Sequence, residues 1–181
     1  GPLQRMIANI LRSSRLSATE TRSAPERVPL AGAVRVVMNE LSEHAAEQEV
    51  TLDADVAESL AVWADPESVQ TILRNLLHNG IRAASGGGRV TVRGSRAGDQ
   101  VKLDVCDDGV GFPPHESARL FDKFYRVDGG GPTRASGTGL GLYLVWRCVS
   151  LDGGSVTGES AGPGCGACFT VTWPVAAERA V

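Results

Sequence analysis

The chain reads as an α+β protein, a two-layer α/β sandwich in which one mixed β-sheet packs on about three helices, preceded by a separate helical segment. Three observations point there. Stretches with apolar residues three and four apart sit between shorter strand-like stretches. Several strand-like stretches come as neighbours around turn residues. The order lacks the regular strand–helix alternation of a parallel fold. With 181 residues, 42 % hydrophobic and 22 % charged, the chain can bury one core and carry an appendage.

Each element has its own signal. Residues 3–16, LQRMIANILRSSRL, set Leu3, Met6, Ile7, Ile10 and Leu11 on one helical stripe that needs a partner in a bundle or coiled coil. SATETRSAPER then loses periodicity and reads as a linker, dividing the chain into 1–24 and 25–181. A second helix is expected from Leu30 to Gln48, with Val34, Val37, Met38 and Leu41 facing inward. VTLDAD and LAVWAD are expected to pair as a hairpin. DPESVQTILRNLLHNGIRAA opens a third helix with Asp65 as N-cap and Pro66 at the first helical position, and Ile72, Leu73, Leu76 and Leu77 form its core face. RVTVRGSRAGDQVKLDVCDDG alternates as two strands around Ala97, Gly98 and Asp99. A short helix around ESARLF, a glycine-rich loop over 128–137, a helix from Leu140 to Leu151 and a closing hairpin, GSVTGES with ACFTVTWP, complete the order.

Composition excludes several classes. A net charge of −3 argues against a nucleic-acid surface. No apolar run approaches the roughly 18–20 residues of a membrane span, so no membrane contact is expected from this piece. The leading Gly1-Pro2-Leu3 reads as the scar of a cleaved tag on an excised fragment. Four cysteines, Cys106, Cys148, Cys165 and Cys168, are too few and too scattered for a disulfide framework, and reduced thiols in a cytoplasmic chain are expected. Cys165-x-x-Cys168 has no second ligand pair for zinc. It also runs into a strand, where a redox motif would open a helix.

Four segments carry chemistry. In RNLLHNGIR, Asn75 and Asn79 share a helix face, and Arg82 lies nearly on it. An amide oxygen is a neutral, hard ligand suited to a hydrated Mg²⁺ that also holds phosphates. A solvated helix face would look the same. In VCDDGVGF a strand ends in acid, followed by Gly109 and Gly111. A carboxylate there can accept a hydrogen bond from the exocyclic amine of adenine, where guanine presents an acceptor; an acidic turn is the plain alternative. ARLFDKFYRVD sets Phe121, Phe124 and Tyr125 beside Lys123 and Arg126, as a core-packing turn with a basic edge or as aromatics anchoring cations that face phosphate. Arg126 is the preferred contact, because a guanidinium matches phosphate geometry. In SGTGLGLYLV, the glycines at 137, 139 and 141 miss the dinucleotide spacing, and no Gly-Lys-Ser/Thr follows. What survives is a helix start at Gly137, Thr138, Gly139, Leu140 and Gly141 whose N–H groups and dipole face an anion.

In this order, over about residues 28–174, the segments resemble the catalytic, ATP-binding domain of sensor histidine kinases, of the superfamily shared with gyrase, the mismatch-repair ATPases and the large heat-shock chaperone. RNLLHNGIR resembles the N box, DDGVG the first glycine box, FDKFYRVD the F box and GTGLGL the second glycine box. GPGCGACFTVTWP is similar to the family's closing strand segment. The resemblance implies a Bergerat-type fold with ATP and Mg²⁺ as cofactors. Asn79 would ligate Mg²⁺ and, with Arg126, act in catalysis. Asn75, Arg82 (where lysine is usual), Lys123, Phe124 and Arg126 would hold the nucleotide. Asp107 would select adenine, with Gly109 and Gly111 shaping that wall. Residues 128–137 would be the ATP lid, with Arg134 as a phosphate contact, closing on Gly137, Thr138, Gly139, Leu140 and Gly141. Departures include Gly80 for the usual alanine, and Ala167 and Cys168 for small hydroxyl residues.

The resemblance also implies that residues 3–16 are the tail of a dimerisation and phosphotransfer hairpin, that the full-length protein is a homodimer, and that a response regulator is its partner. Membrane anchoring of the parent stays open. His44, His78 and His115 lack the acid and proline pattern that follows the family's phosphoacceptor, so the acceptor is expected to lie elsewhere. ATPase members carry glutamate at the Asn75 position as a general base; asparagine cannot take that proton, which favours transfer to an imidazole over hydrolysis. Two alternatives stay open: a non-catalytic nucleotide-binding regulatory module, and an anti-sigma-factor-type protein-serine kinase on the same fold.

Overall fold

A computed structural model describes residues 23–127 and 138–175; the helical stripe at 3–16 and the glycine-rich loop at 128–137 lie outside them. The order is β1 (Glu26–Pro29), α1 (Leu30–Glu47), β2 (Thr51–Asp55), β3 (Ala61–Ala64), α2 (Pro66–Ala83), β4 (Arg89–Ala97), β5 (Gln100–Asp107), a 3-10 turn (Pro114–Arg119), α3 (Gly141–Leu151), β6 (Ser155–Glu159) and β7 (Ala167–Pro174). Five strands form one sheet in the order β2-β4-β5-β7-β6, while β1 and β3 form a separate pair. In the larger sheet β2 runs parallel to β4 and the other neighbours are antiparallel, so the sheet is mixed as expected.

Alternation builds the core. Val90 and Val92 of β4, Val101, Leu103 and Val105 of β5, and Phe169, Val171 and Trp173 of β7 are buried, and the strand register sets Val92 beside Val105 and Leu103 beside Val171. The intervening side chains face away from this core. From α1 come Leu30, Val34 and Val37, and from α2 Val69, Ile72, Leu73, Leu76, Leu77 and Ile81, in the spacing of a single helix face. α2 starts where the sequence places it: the Asp65 carboxylate accepts from the Glu67 N–H at 3.0 Å, and Pro66 occupies the first turn. A β-carbon at Gly80 would lie 3.0 Å from Val90 Cγ2, so the glycine lets α2 settle close on β4.

Arg74 of α2 grips Glu40 of α1 through two hydrogen bonds, 2.7 and 3.0 Å, and His44 stacks on His78 with ring centres 5.1 Å apart. The Arg74 bond holds the Glu40 carboxyl below its ordinary 4.5 and raises the guanidinium in return.

Three expectations are corrected. VTLDAD and LAVWAD do not pair with each other: β2 joins β4 and β3 joins β1. Between them Val56 and Leu60 cross the space left by Gly94, where a β-carbon would meet Leu60 at 2.7 Å and Val56 at 2.9 Å; the Leu60 N–H closes a turn on the Ala57 carbonyl at 3.0 Å, after which the chain runs along β1 and not back along β2. β1, for which no strand was expected, begins within the last two residues of SATETRSAPER, Glu26 and Arg27, and its one buried side chain is Val28. Finally, Cys106 and Cys168 are not both thiols. They are direct partners in the β5–β7 register and form a disulfide across 62 residues of sequence; Cys148 and Cys165 take part in no disulfide.

Three outcomes test this description. A carboxyl whose pKa is lowered by folding adds stability above its unfolded pKa and loses it as pH falls through the folded value. Glu40→Gln should therefore lower the melting temperature slightly at neutral pH and leave it unchanged at acid pH well below 4.5; the increment is small because the pair is exposed. Gly80→Ala gains up to about 1 kcal/mol of helix propensity but crowds Val90, so denaturant melts should show it more stabilising in a Val90→Ala background than in the wild type. Alkylation of the unfolded, unreduced chain should label Cys148 and Cys165 alone, with Cys106 and Cys168 appearing after reduction.

Candidate functional site

The site is built outward from the polar face of α2. Asn75 and Asn79, one turn apart, are both half-buried. The Asn75 amide donates to the Thr71 carbonyl at 2.8 Å, which fixes the amide plane and sets its oxygen toward α3. There it meets the backbone of Gly141: a β-carbon at that position would lie 3.0 Å from Asn75 Oδ1 and 4.0 Å from Asn79 Nδ2. The first turn of α3 contains no acidic residue and its N-cap position, Leu140, makes no side-chain cap. Thr138 Oγ1 lies 3.4 Å from the Leu140 N–H. An uncapped helix N-terminus beside two neutral amides is an electrostatic setting for anionic oxygens.

One turn below Asn79, the end of α2 meets the acidic segment. Val110 N–H donates to the Ala83 carbonyl at 3.1 Å, and Gly109 sits so close to the Ala83–Ala84 backbone that any side chain would collide. Asp107 closes β5, and its carboxylate accepts from the Gly109 N–H at 3.0 Å, forming a tight turn at the strand end. Asp108 points back and accepts from the Arg89 N–H at 2.7 Å. The loop between β6 and β7 runs along the other side, with Gly164 N–H donating to Val110 O (2.8 Å) and Gly166 N–H to Gly109 O (3.0 Å). Gly109 and Gly111 therefore give their space to protein backbone and to Ser160.

The third part joins the F-box residues to α3. Phe124 N–H donates to the Gly139 carbonyl at 3.0 Å, and both residues take positive φ, 65° and 69°. A β-carbon at Gly139 would lie 2.7 Å from the Phe124 backbone, which makes glycine obligatory there. Phe124 is 62 % exposed.

The sequence-expected residues thus fall into three groups: Asn75 and Asn79 with Leu140 and Gly141; Asp107 with Gly109 and Gly111; Phe124 with Gly139. The first two adjoin through α2. Arg82 is half-buried in the last turn of α2, and Arg126 is exposed. Lys123 is not grouped with the asparagines. Its Nζ lies 5.8 Å from the Tyr143 ring, in a groove of about 800 Å³ lined also by Phe121, Trp146 and Glu159. Arg134 and Gly137 lie outside the described residues. His44 and His78 are half-buried at the α1–α2 contact, while His115 is exposed beside Glu116. Sequence reasoning missed the contribution of the 160–166 loop. Its glycines at 162, 164 and 166 repeat the alternate spacing of 137, 139 and 141, and that was the available signal.

The profile of the histidine kinase-, DNA gyrase B- and HSP90-like ATPases matches residues 64–177, a span that holds all three groups. The circadian input-output histidine kinase CikA of Synechococcus elongatus is 35 % identical over 175 residues, covering 95 % of this chain and 23 % of CikA. The sensor protein DivL of Caulobacter vibrioides is 41 % identical over 126 residues, covering 69 % of this chain and 16 % of DivL. Full-length ShkA, solved in complex with AMPPNP, superimposes with a TM-score of 0.82 at 28 % identity, over 98 % of this chain and 37 % of that one. A mycobacterial sensor histidine kinase, MprB, superimposes at 0.72 and 25 % identity, over 83 % of this chain and 97 % of that one. The chain spans less than half the length of the curated relatives it matches. Matched in profile, in sequence and in fold across the span that carries its site, the chain belongs to the histidine kinase-, DNA gyrase B- and HSP90-like ATPase family, as an ATP-binding catalytic domain of the histidine kinase type.

Proposed function

We propose that this domain holds ATP between α2, the Asp107–Phe112 segment and the N-terminus of α3, and passes the γ-phosphoryl group to a histidine on a dimerisation hairpin. The observation that carries the reading is the pair of amides, Asn75 and Asn79, set against the uncapped start of α3 across the missing side chain of Gly141. Phosphate oxygens suit that corner, and the adenine falls toward Asp107, one turn down α2. Residues 1–24 are read as the hairpin's tail plus a linker and 25–181 as the catalytic unit. The ShkA complex with AMPPNP supports a nucleotide in this fold.

The donor set fits Mg²⁺ arriving with the nucleotide: Asn79 offers one neutral oxygen, and phosphates and water supply the rest. Bound there, the ion would neutralise phosphate charge. The chain's own residues do the positioning. Asn75 orients the phosphates and, being an amide, activates no water. Arg82 and Arg126 are assigned to the phosphates, together with Arg134 of the glycine-rich loop, and Thr138 leads into α3; Lys123, in its separate groove, drops out of the set. Asp107 accepts the adenine amine. The lone pair of a neutral imidazole nitrogen then forms a P–N bond as the P–O bond to ADP breaks. ADP keeps the electron pair, and the imidazolium proton passes to water. The phosphohistidine would serve a response-regulator aspartate, in the cytoplasm.

Incubating the chain with Mg-ATP and a hairpin supplied in trans should give an acid-labile phosphohistidine on the hairpin. Asp107→Asn should weaken ATP binding about 10- to 100-fold, the worth of one hydrogen bond to a charged group. Absence of transfer, or transfer and binding indifferent to Asp107→Asn, would overturn the reading.

A further inference from the structure

The Asp107–Phe112 segment is clasped from two sides, and the side away from α2 converges on one hydroxyl. Ser160, half-buried just past β6, accepts hydrogen bonds from the backbone N–H of Phe112 at 3.1 Å and of Gly162 at 3.2 Å. Its own proton goes to the Gly166 carbonyl at 2.6 Å, with the Gly162 carbonyl at 3.1 Å the weaker choice. A serine hydroxyl has one proton and two lone pairs, so Ser160 is used to capacity. A side chain at residue 111 would stand 2.8 Å from Ser160 Oγ, so Gly111 clears the room this hub occupies. The bonds from Gly164 and Gly166 to Val110 and Gly109 then lay the 160–166 loop along the segment, much as an added strand would lie.

We propose that Ser160 is a positioning residue for base recognition. It holds the 160–166 loop in place and, through Gly166 and Phe112, sets the turn in which the Asp107 carboxylate faces the base. The inference rests on the reading of Asp107 given above. The hydrogen-bond partners of Ser160 belong to the acidic segment and its supporting loop, so its influence falls on the choice between adenine and guanine. Removing the hydroxyl strands two partly buried N–H donors, and the loop relaxes to satisfy them.

The test is calorimetric titration of the 181-residue chain with Mg-ATP and with Mg-GTP, with circular dichroism confirming the fold of each variant. Ser160→Ala should weaken ATP binding about tenfold, as expected for one buried hydrogen bond, and narrow the preference for ATP over GTP. Ser160→Thr, which keeps the hydroxyl, should retain the preference. Should Ser160→Ala fail to fold, Ser160→Cys, with its weak donor, takes its place in the same measurement. A wild-type ATP-to-GTP ratio in Ser160→Ala overturns the proposal, whatever happens to affinity. Asp107→Asn, run alongside, separates the two levels. If it leaves the ratio intact, the assignment of Asp107 falls and this inference with it. If it collapses the ratio while Ser160→Ala does not, the inference alone falls.

Discussion

Close approach to α2 is the constraint from which the rest of the site follows. The helix is met at bare-backbone distance in three places: a β-carbon at Gly80 would press on Val90 of β4, one at Gly109 would collide with the Ala83–Ala84 backbone, and one at Gly141 would reach Asn75. The first contact seats α2 on the sheet. The second docks the acidic segment on its last turn, and the third brings the start of α3 to its polar face. Because packed interiors have little slack, a methyl group at any of these positions must displace something. The acidic segment and the start of α3 are thus both seated on one rigid rod, and the loops hold them there.

The electrostatics follow from that geometry. Among the described residues no side chain caps the start of α3, which carries the positive end of its dipole, and an acidic side chain would neutralise it in place of an anion. The sequence puts amides there, Asn75 and Asn79, which can hold an anion's ligands without repelling it. The carboxylate belongs one turn lower, at Asp107, away from where phosphate charge would gather. Even there one of its oxygens is fixed by the Gly109 N–H, so the acid presents a defined edge. Arg74, the neighbour of Asn75, is turned to the opposite duty and ties α2 to α1 through Glu40.

How much was legible depended on range. Periodicity and capping are local, so α2, its Asp65 cap and the inward faces of α1 and α2 could be read from consecutive residues, as could the β4–β5 hairpin with its short turn and the pairing of β6 with β7. The motifs around Asn75, Asp107 and Gly141 were legible because glycine spacing and residue chemistry are written in order. Strand partners chosen at a distance were not. β2 and β3 sit beside each other in sequence and still pair elsewhere, since the loop between them crosses Gly94. The Cys106–Cys168 bond needs the β5–β7 register, which no spacing in the sequence encodes. Ser160 was silent for the same reason: a serine in a loop acquires meaning when the backbone of Phe112 is brought to it.

The two ends of the site are secured by different means. The Asp107–Phe112 segment is cross-tied by a backbone hydrogen bond to the Ala83 carbonyl, by bonds from the Gly164 and Gly166 N–H groups and by the Ser160 hub, each ordinary in strength but closing on one six-residue turn. The α3 end depends on Phe124 meeting Gly139, and Phe124 pays for that meeting by adopting a left-handed backbone, at a cost of about 1–2 kcal/mol for a residue with a β-carbon. Strain of this kind persists where surrounding contacts over-determine it, and it concentrates where a protein handles ligands. Phe124 stays largely in solvent, so burial does not repay that cost. What the conformation secures is the backbone bond to Gly139, two residues before the glycine that faces Asn75. The strained residue thus sets where α3 begins, and with it the distance from the helix N-terminus to the two asparagines.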